Sequence, residues 1–334
     1  MQPLPLLHEA TLKRLQNTRN LLAFSGGGDS TALFFLLQEQ SISFDIAIVN
    51  YQTRQQSDAE VAYANALATR FGKEVYTFTC NLETINFEHT ARLTRYAFFE
   101  RIIEEHGYET LLSAHHLNDK LEWFLMQMSK GAGLLEMLGM SEMEQRETYT
   151  LIRPLLHVSK PTLQAYLKRR SIHFFEDESN TDEHHPRNYM RHTYVTPLME
   201  TYEAGIVKSF AYLEEDAKRL LPHEPHRIGE LFILACDKDD IRNIRSIDKV
   251  LKRLGFLASK AQRDEILRSR DCVVGGKIAV CFREDAIFIA PFIRCVMDKP
   301  FKELCRLAHI PAKIRPYMYA SNILPNALRL SHRP

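Results

Sequence analysis

Short apolar strands alternate with helical patterns four times in the first 130 residues of this chain. The strands are predicted at residues 20–24, 44–50, 74–79 and 110–114, and the helices at 29–40, 57–71, 91–106 and 119–130. This alternation is typical of an α/β fold built on a doubly wound parallel sheet. Ligands bind such sheets beyond the carboxyl ends of the strands, so the residues that follow each strand are the first candidates for a functional site.

The pattern changes after the fourth helix. Helical patterns dominate from about residue 201 to residue 271, and residues 272–282 predict a small β hairpin that turns at Gly275 and Gly276. A chain of 334 residues is long enough for two domains. We therefore expect an α/β domain at residues 1–204, followed at residues 205–334 by a mainly helical region with a small hairpin.

Composition excludes several classes of protein. The longest apolar runs, such as residues 32–37, are far shorter than the roughly 18 residues of a membrane span. The first residues lack the pattern of a signal peptide, so we expect no membrane association and a cytoplasmic location. Six cysteines with no CxxC pair argue against a zinc ribbon, a cysteine-held iron–sulfur cluster and a thioredoxin-type redox site.

The net charge of +1 conceals an uneven distribution. Residues 1–204 carry 19 lysines and arginines against 26 aspartates and glutamates, whereas residues 205–334 carry 24 against 16. A basic C-terminal region on an acidic N-terminal one indicates a polyanionic partner such as a nucleic acid. An ordinary solvated surface is the alternative.

The strongest signal for a ligand is a glycine-rich loop between the first strand and the first helix. It reads Ser25-Gly26-Gly27-Gly28-Asp29-Ser30. Its amide N–H groups and the helix N-terminus that follows favour binding of a phosphate group. The loop fits neither GxxxxGK[ST] nor GxGxxG, which excludes a P-loop NTPase site and a dinucleotide fingerprint. A tight turn that needs glycine only for its geometry is the alternative.

A second candidate set follows the fourth predicted strand. Asp119 and Glu122 are three residues apart at a helix start, so they share one helix face, and His115 and His116 precede them. Two carboxylates placed in this way can accept an ammonium group, hold Mg²⁺, or only favour the helix dipole. A third candidate set consists of an acidic segment at residues 176–182 followed by Arg187, Asn188 and Arg191. A solvated acidic loop followed by a cationic helix is the alternative interpretation.

Together these motifs resemble those of bacterial tRNA(Ile)-lysidine synthetases, which are PP-loop ATP pyrophosphatases. The SGGxDS signature matches residues 25–30. Further matches are Glu88, Ala91, Arg92, Arg95 and Tyr96; His115, His116, Asp119 and Glu122; Gly131, Gly133, Leu134, Gly139 and Met140; residues 153–156; and Glu176, Asp177, Ser179, Asn180, Asp182, Arg187, Asn188 and Arg191. The resemblance covers about residues 18–200 and becomes weaker beyond residue 205, although residues 299–317 are similar to a shortened C-terminal module of the family.

The resemblance implies ATP-dependent ligation of free L-lysine to carbon 2 of the wobble cytidine of tRNA(Ile) with a CAU anticodon. An adenylated cytidine is the intermediate, and lysidine, AMP and pyrophosphate are the products. The family pattern implies that residues 1–204 are a catalytic PP-loop domain and that the basic region binds tRNA. The oligomeric state stays open.

The same resemblance implies roles for individual residues. The loop Ser25, Gly26, Gly27, Gly28, Asp29 and Ser30 is expected to bind ATP, with Asp29 a candidate Mg²⁺ ligand. Asp29, Asp119 and Glu122 are the expected catalytic residues; Asp119 and Glu122 are expected to bind lysine together with Arg187. Looser expectations of phosphate or tRNA contacts fall on Arg92, Arg95, His115, His116 and Arg191. The basic charge of residues 205–334, rather than the resemblance, adds expected tRNA contacts at Arg242, Arg245, Lys249, Lys252 and Arg253, which fall on a predicted helix.

The chain departs from the family pattern at residues 51–53, after the second predicted strand, and at three positions of the second candidate set. Asn118, Lys120 and Trp123 stand where aspartate, glutamine and threonine are usual. They leave open a degenerate member that binds tRNA without catalysis. A PP-loop enzyme that thiolates a tRNA base is the other alternative, although the lack of a CxxC pair argues against it.

Overall fold

The computed structural model describes residues 6–52, 56–80, 87–176, 186–220 and 225–328. The chain divides into two compact units, Met1–Glu214 and Glu215–Pro334.

The first unit contains a six-stranded sheet. Its strands are β1 (Asn20–Phe24), β2 (Asp45–Asn50), β3 (Val75–Thr79), β4 (Thr110–Leu112), β5 (Met143–Gln145) and β6 (Thr150–Ile152). The strand order is β3-β2-β1-β4-β6-β5, and every neighbouring pair is parallel except β5 with β6. This confirms the predicted α/β fold, to which the structure adds β5 and β6.

In the described ranges, nine helices begin within the first unit, and the last of them continues beyond Glu214. They are α1 (Glu9–Leu15), α2 (Gly28–Glu39), α3 (Gln56–Phe71), α4 (Phe87–His106), α5 (Leu117–Ser129), α6 (Leu134–Met137), α7 (Lys160–Arg169), α8 (Pro186–Met190) and α9 (Thr196–Leu220), with a π-helical turn at Arg191–Val195 between the last two.

Both faces of the sheet are buried, as a doubly wound sheet requires. Successive side chains of a strand point to opposite faces. Leu22 accordingly packs with Phe34 of α2 in one core cluster, while Leu21 packs with Phe98 of α4 in another. Helices cover both faces of the sheet. Because β1 and β4 are parallel neighbours, their carboxyl ends lie side by side, and the candidate residues follow these two ends.

The second unit contains a five-stranded antiparallel sheet. Its strands are β7 (His226–Ile228), β8 (Leu231–Ala235), β9 (Asp271–Val274), β10 (Ile278–Phe282) and β11 (Ala286–Pro291), in the order β7-β8-β11-β10-β9. The helices are α10 (Asp240–Arg253), α11 (Lys260–Ser269), α12 (Lys299–Leu307) and α13 (Arg315–Ala320).

The predicted hairpin is confirmed as part of this sheet. Strands β9 and β10 pair antiparallel, and the turn residues Gly275 and Gly276 have φ of +57° and +69°, values that favour glycine. The sheet is larger than the hairpin that the sequence predicts. Residues 231–235 form a continuous apolar run, and such a run does not distinguish a buried strand from a buried helix. In the described ranges, no helix has the length and apolarity needed to cross a membrane.

Candidate active site

The glycine-rich loop connects β1 to α2 as the sequence predicts. Gly26 has φ of +76°, a left-handed conformation that glycine adopts without a steric penalty. Gly27 is the N-cap of α2, and it has no side chain with which to cap the helix. The amide groups of the first turn are therefore available to an anion, and the helix dipole favours negative charge at the same place.

Hydrogen bonds within the loop hold its shape. The Ser25 amide donates to Ser30 Oγ at 3.2 Å, and Ser30 Oγ donates to the Gly27 carbonyl at 3.1 Å. The Phe175 amide donates to the Gly26 carbonyl at 3.0 Å, which ties the segment after α7 to the loop. A Cβ atom on Gly28 would lie 3.2 Å from the Phe174 ring. Hydrogen bonds inside the loop and contacts with Phe174 and Phe175 thus hold the loop in this conformation.

A buried histidine joins the loop to the second candidate set. His116, 4% exposed, has its Nε2 atom 3.4 Å from Asp29 Oδ2 and its Nδ1 atom 3.4 Å from Asp119 Oδ2. It also caps α5, because its Nδ1 atom accepts the Asp119 amide at 3.4 Å while its own amide donates to Asp119 Oδ2 at 3.0 Å. One imidazole therefore connects the carboxylates that follow β1 and β4.

Burial and neighbouring charge act in opposite directions on the pKa values of this group. Burial alone would lower the pKa of His116, but Asp119 and Asp29 outweigh it and raise that pKa. Burial would raise the pKa of Asp119, but the two histidines, the His116 amide and Arg187 lower it to about 2. Burial lowers the pKa of His115 to about 4, with further lowering from nearby arginines. At neutral pH Asp119 is ionised and His115 is neutral.

Glu122 lies between two arginines. Its carboxylate is 1% exposed and accepts hydrogen bonds from Nε of Arg187 and, at 2.9 Å, from Nε of Arg191. An Nη2 atom of each arginine also lies 3.7 Å from Asp119 Oδ1. The helical spacing of four residues places both guanidinium groups on one face, opposite the carboxylates that α5 presents. The predicted residues Asp119, Glu122, Arg187 and Arg191 thus form one cluster.

The other predicted residues of the first unit make polar or ring contacts of their own. The Arg92 guanidinium stacks over the Tyr96 ring at 4.9 Å, and Arg95 Nε donates to Tyr51 Oη at 3.2 Å. His115 Nδ1 lies 2.7 Å from Ser113 Oγ. Asp177, Ser179, Asn180 and Asp182 of the predicted acidic loop lie outside the described residues.

The predicted basic residues of the second unit lie on α10. Arg242 pairs with Asp237 at 2.8 Å, and Lys252 pairs with Asp248 at 2.6 Å. Lys252 and Arg253 are exposed, whereas Arg245 and Lys249 are half-buried. The five cations therefore differ in how far their side chains are exposed.

Two of the three departures within the second candidate set take part in packing within the first unit. Asn118 Oδ1 accepts the amide of Lys160, the first residue of α7, at 2.9 Å. Lys120 pairs with Glu214 and lies 4.6 Å from the centre of the Phe210 ring. Trp123, by contrast, is 38% exposed and donates through Nε1 to the Glu136 carbonyl at 2.9 Å. Neither Asn118 nor Lys120 disturbs the two carboxylates.

Sequence analysis missed two contacts that complete the site. The first is the pairing of Glu122 with Arg191, which it assigned loosely to phosphate or tRNA. The complementary spacings, three residues between the carboxylates and four between the arginines, are the signal that points to it. The second is the bond between Phe175 and Gly26, a main-chain contact that leaves no trace in residue type.

Comparison with known proteins confirms the resemblance. A family model for a PP-loop domain matches residues 6–198. A tRNA(Ile)-lysidine synthase of Wolinella succinogenes is 46% identical over 313 residues, covering 93% of this chain and 96% of the relative. One of Campylobacter jejuni is 43% identical over 319 residues, covering 95% and 97%, and one of Helicobacter pylori is 41% identical over 312 residues, covering 92% of each. The chain belongs to the tRNA(Ile)-lysidine synthase family of PP-loop enzymes.

Proposed function

We propose that this chain uses ATP to join free L-lysine to the wobble cytidine of tRNA(Ile) with a CAU anticodon, in the cytoplasm. The product is lysidine, formed with release of AMP and pyrophosphate. One observation carries the proposal: His116 links the phosphate-binding loop at Asp29 to the carboxylate at Asp119. A nucleotide site and an ammonium site therefore share one edge of the sheet.

In the first step, the cytidine is adenylated. The oxygen on carbon 2 of the cytosine attacks the α-phosphorus of ATP, and the bond to pyrophosphate breaks. The loop of residues 25–30 supplies amide donors to the phosphate oxygens, and the N-terminus of α2 stabilises the charge that develops on the leaving group.

Asp29 fits a role as a magnesium ligand. Its carboxylate lies in the first turn of α2, beside the loop, and Mg²⁺ at nucleotide sites is usually held by one or two carboxylates and the substrate phosphates. In the described ranges no cluster of three or more His, Cys, Asp or Glu side chains would hold a metal without the nucleotide. Bound Mg²⁺ would neutralise charge on the departing pyrophosphate.

In the second step, the ε-amine of lysine replaces AMP. The amine nitrogen attacks carbon 2 of the cytosine, the bond from that carbon to oxygen breaks, and the oxygen leaves with AMP. Asp119, with its pKa of about 2, is a strong anchor for an ammonium group and a poor proton acceptor. We therefore assign Asp119 to holding lysine.

Glu122 is the better candidate for the proton of the attacking amine. Two guanidinium groups, those of Arg187 and Arg191, pair with its buried carboxylate. Arg187, with a side chain 35% exposed, can turn to the carboxylate of lysine as a bidentate donor. Glu122 then keeps its contact with Arg191 through Oε2, and Oε1, which accepted from Arg187, faces the amine and can take its proton.

We propose that the basic second unit binds the phosphate backbone of the tRNA. Phosphate contacts from Arg242, Arg245, Lys249, Lys252 and Arg253 would make binding depend on salt. Replacing both Lys249 and Arg253 by alanine should weaken tRNA binding and reduce the slope of log K against log salt by about 1 for each lost phosphate contact. Exposed Lys13, which pairs with Glu9 in the first unit, offers a matched control. An unchanged slope in the double variant would contradict this role.

Family membership favours ligation over thiolation and over a degenerate tRNA-binding protein. A direct test of adenylation is exchange of labelled pyrophosphate into ATP. We expect exchange that needs tRNA(Ile) with CAU but not lysine, and AMP release that rises when lysine is added. Exchange without tRNA, or AMP release unaffected by lysine, would contradict the proposed order of chemistry.

A further inference from the structure

Trp123 stands beside the carboxylate–arginine cluster with an exposed ring. It lies four residues after Asp119, so the two side chains share one side of α5, and it follows Glu122 directly in the chain. Trp123 is 38% exposed, whereas the preceding residue, Glu122, is 1% exposed. It is also the sole tryptophan of the chain.

The indole is held in one position. Its Nε1 atom donates to the Glu136 carbonyl at 2.9 Å, which joins α5 to α6. A Cβ atom on Gly139 would lie 2.5 Å from Nε1 and 2.9 Å from Cε2, so the main chain at Gly139 lies against the ring edge and leaves no room for a side chain. One edge of the ring is therefore fixed by the segment that includes α6, while 38% of the residue stays exposed.

We propose that the exposed indole is a stacking surface for a nucleobase of the tRNA anticodon loop. This inference rests on the proposed function, because it takes tRNA as the substrate at this cluster. Anticodon-loop bases are unpaired, and unpaired bases stack on aromatic side chains with little regard to base identity. A ring already fixed in place loses little entropy when a base stacks on it.

The surroundings favour a base over a cation as the partner of the ring. An indole face also attracts ammonium groups. However, Asp119 lies four residues before Trp123 on α5 and its pKa is lowered to about 2, so its carboxylate is the stronger partner for the lysine ammonium. The neutral ring adds a flat, apolar surface at the border of that charged cluster, which suits the flat face of a base.

Tryptophan fluorescence tests the contact directly, because the signal comes from this residue alone. The probe is a synthetic RNA hairpin whose seven-nucleotide loop carries the CAU anticodon, and the control is the same stem closed by a four-nucleotide loop. Stacking predicts quenching that saturates with the anticodon hairpin and is absent with the control. No quenching at an RNA concentration that saturates binding measured by filter retention would overturn the proposal.

Substitutions distinguish stacking from a purely structural role. Trp123→Phe keeps an aromatic face but loses the bond to Glu136, whereas Trp123→Leu keeps apolar volume but loses the aromatic face. We expect Trp123→Leu to weaken hairpin binding by about tenfold to a hundredfold, the usual loss for one stacked base, and Trp123→Phe to stay within about threefold of wild type. Gly139→Ala should reproduce the leucine defect by displacing the ring. Equal losses in the phenylalanine and leucine variants would assign the residue to structure and overturn the proposal.

The KM for lysine distinguishes base stacking on Trp123 from a cation contact between the ring and the lysine ammonium. The KM for lysine should be unchanged in Trp123→Leu, and a rise in that KM with normal hairpin binding would show a cation contact instead. Because quenching and hairpin binding need no turnover, they succeed or fail independently of lysine ligation. A wild-type protein that binds and is quenched but forms no lysidine would contradict the proposed function and leave the stacking contact established.

Discussion

His116 Nε2 lies 3.4 Å from Asp29 Oδ2, and the same imidazole caps helix α5 through its Nδ1 atom. A single buried ring thus joins the first turn of α2, beside the glycine-rich loop, to the helix that carries Asp119 and Glu122. The two proposed half-sites are connected by a polar contact as well as by the sheet.

Replacing His116 by asparagine should keep the cap of α5 but remove the contact with Asp29. Asparagine is a good N-cap, so α5 should keep its start, but its short side chain cannot reach Asp29 as the imidazole does. We expect kcat for AMP formation to fall about a hundredfold, the size of effect that a small misplacement of reacting groups produces. His116→Ala should show the same kinetic loss and also lose about 1 kcal/mol of stability with the cap. Wild-type kinetics in His116→Asn would show that the contact with Asp29 is dispensable.

Gly26→Ala should reduce affinity for ATP. The residue has φ of +76°, and the added Cβ would lie 3.3 Å from the Glu60 side chain. Backbone strain alone costs about 1 to 2 kcal/mol of stability. The measurement is the KM for ATP in AMP formation, which we expect to rise about tenfold as one hydrogen bond to a charged phosphate weakens.

Gly72→Ala is the matched control for this change. Gly72 has φ of +64°, and nothing lies within 4 Å of the position of its Cβ. It should show a similar loss of stability with an unchanged KM for ATP. A rise in KM in both variants would mean that strain anywhere in the unit impairs the site, and the loop would lose its special role.

Arg187→Ala should weaken binding of lysine. If the guanidinium pairs with the carboxylate of lysine, its loss removes charged hydrogen bonds worth about 1.5 to 3 kcal/mol, or roughly a 10- to 100-fold rise in the KM for lysine. The KM for ATP should not change. Lysine methyl ester provides the check: it lacks the carboxylate charge, so wild type and Arg187→Ala should use it equally poorly. A variant that keeps wild-type preference for lysine over the ester would contradict the assignment.

Stability of the first unit should fall as pH is lowered from about 6.5 to about 4. The pKa of His115 is lowered to about 4, so in this range the unfolded chain binds a proton that the folded one does not. His157 has a pKa of about 4 and acts in the same direction. The titration of His116 does not cancel this loss of stability. Its pKa is raised in the folded chain, so its stabilising contribution is fully present below about pH 6.5 and is lost only when the pH rises through the pKa of the folded state.

Urea unfolding followed by Trp123 fluorescence measures this dependence, because that residue lies in the first unit. For His115 the full shift corresponds to about 3 kcal/mol, and the partial exposure of the ring reduces the expected loss to about 1 to 3 kcal/mol. His115→Asn should lose its share of the pH dependence, and His157→Asn should lose the other share. A dependence that survives in the double variant would place its source elsewhere.

Local patterns predicted the elements that bury continuous apolar surface. The strand at Asn20–Phe24 has the predicted bounds, because an apolar run ends there at a serine and glycine loop. The sequence also placed the loop and the residues from His115 to Glu122 at one sheet edge, since the carboxyl ends of parallel strands share an edge. It did not predict β8, whose apolar run fits strand and helix equally well.

Contacts between distant residues could not be predicted in this way. The bond from Arg191 to Glu122 spans 69 positions, and it depends on how α8 and the π-helical turn meet α5. The link from His116 to Asp29 depends on β1 and β4 being neighbours, which is a property of strand order. The role of Asn118 depends on the start of α7, 42 positions away. Residue type suggested that these groups are reactive, but only the fold shows which of them are partners.

The most direct test of lysine ligation is the mass of the wobble nucleoside. Purified protein is incubated with ATP, Mg²⁺, lysine and tRNA(Ile) with a CAU anticodon, and the tRNA is then digested to nucleosides. We predict a cytidine whose mass rises by that of lysine less one water in the wild-type reaction, and unmodified cytidine with Glu122→Gln. Unmodified cytidine in the wild-type reaction, or a product that carries sulfur, would contradict the account.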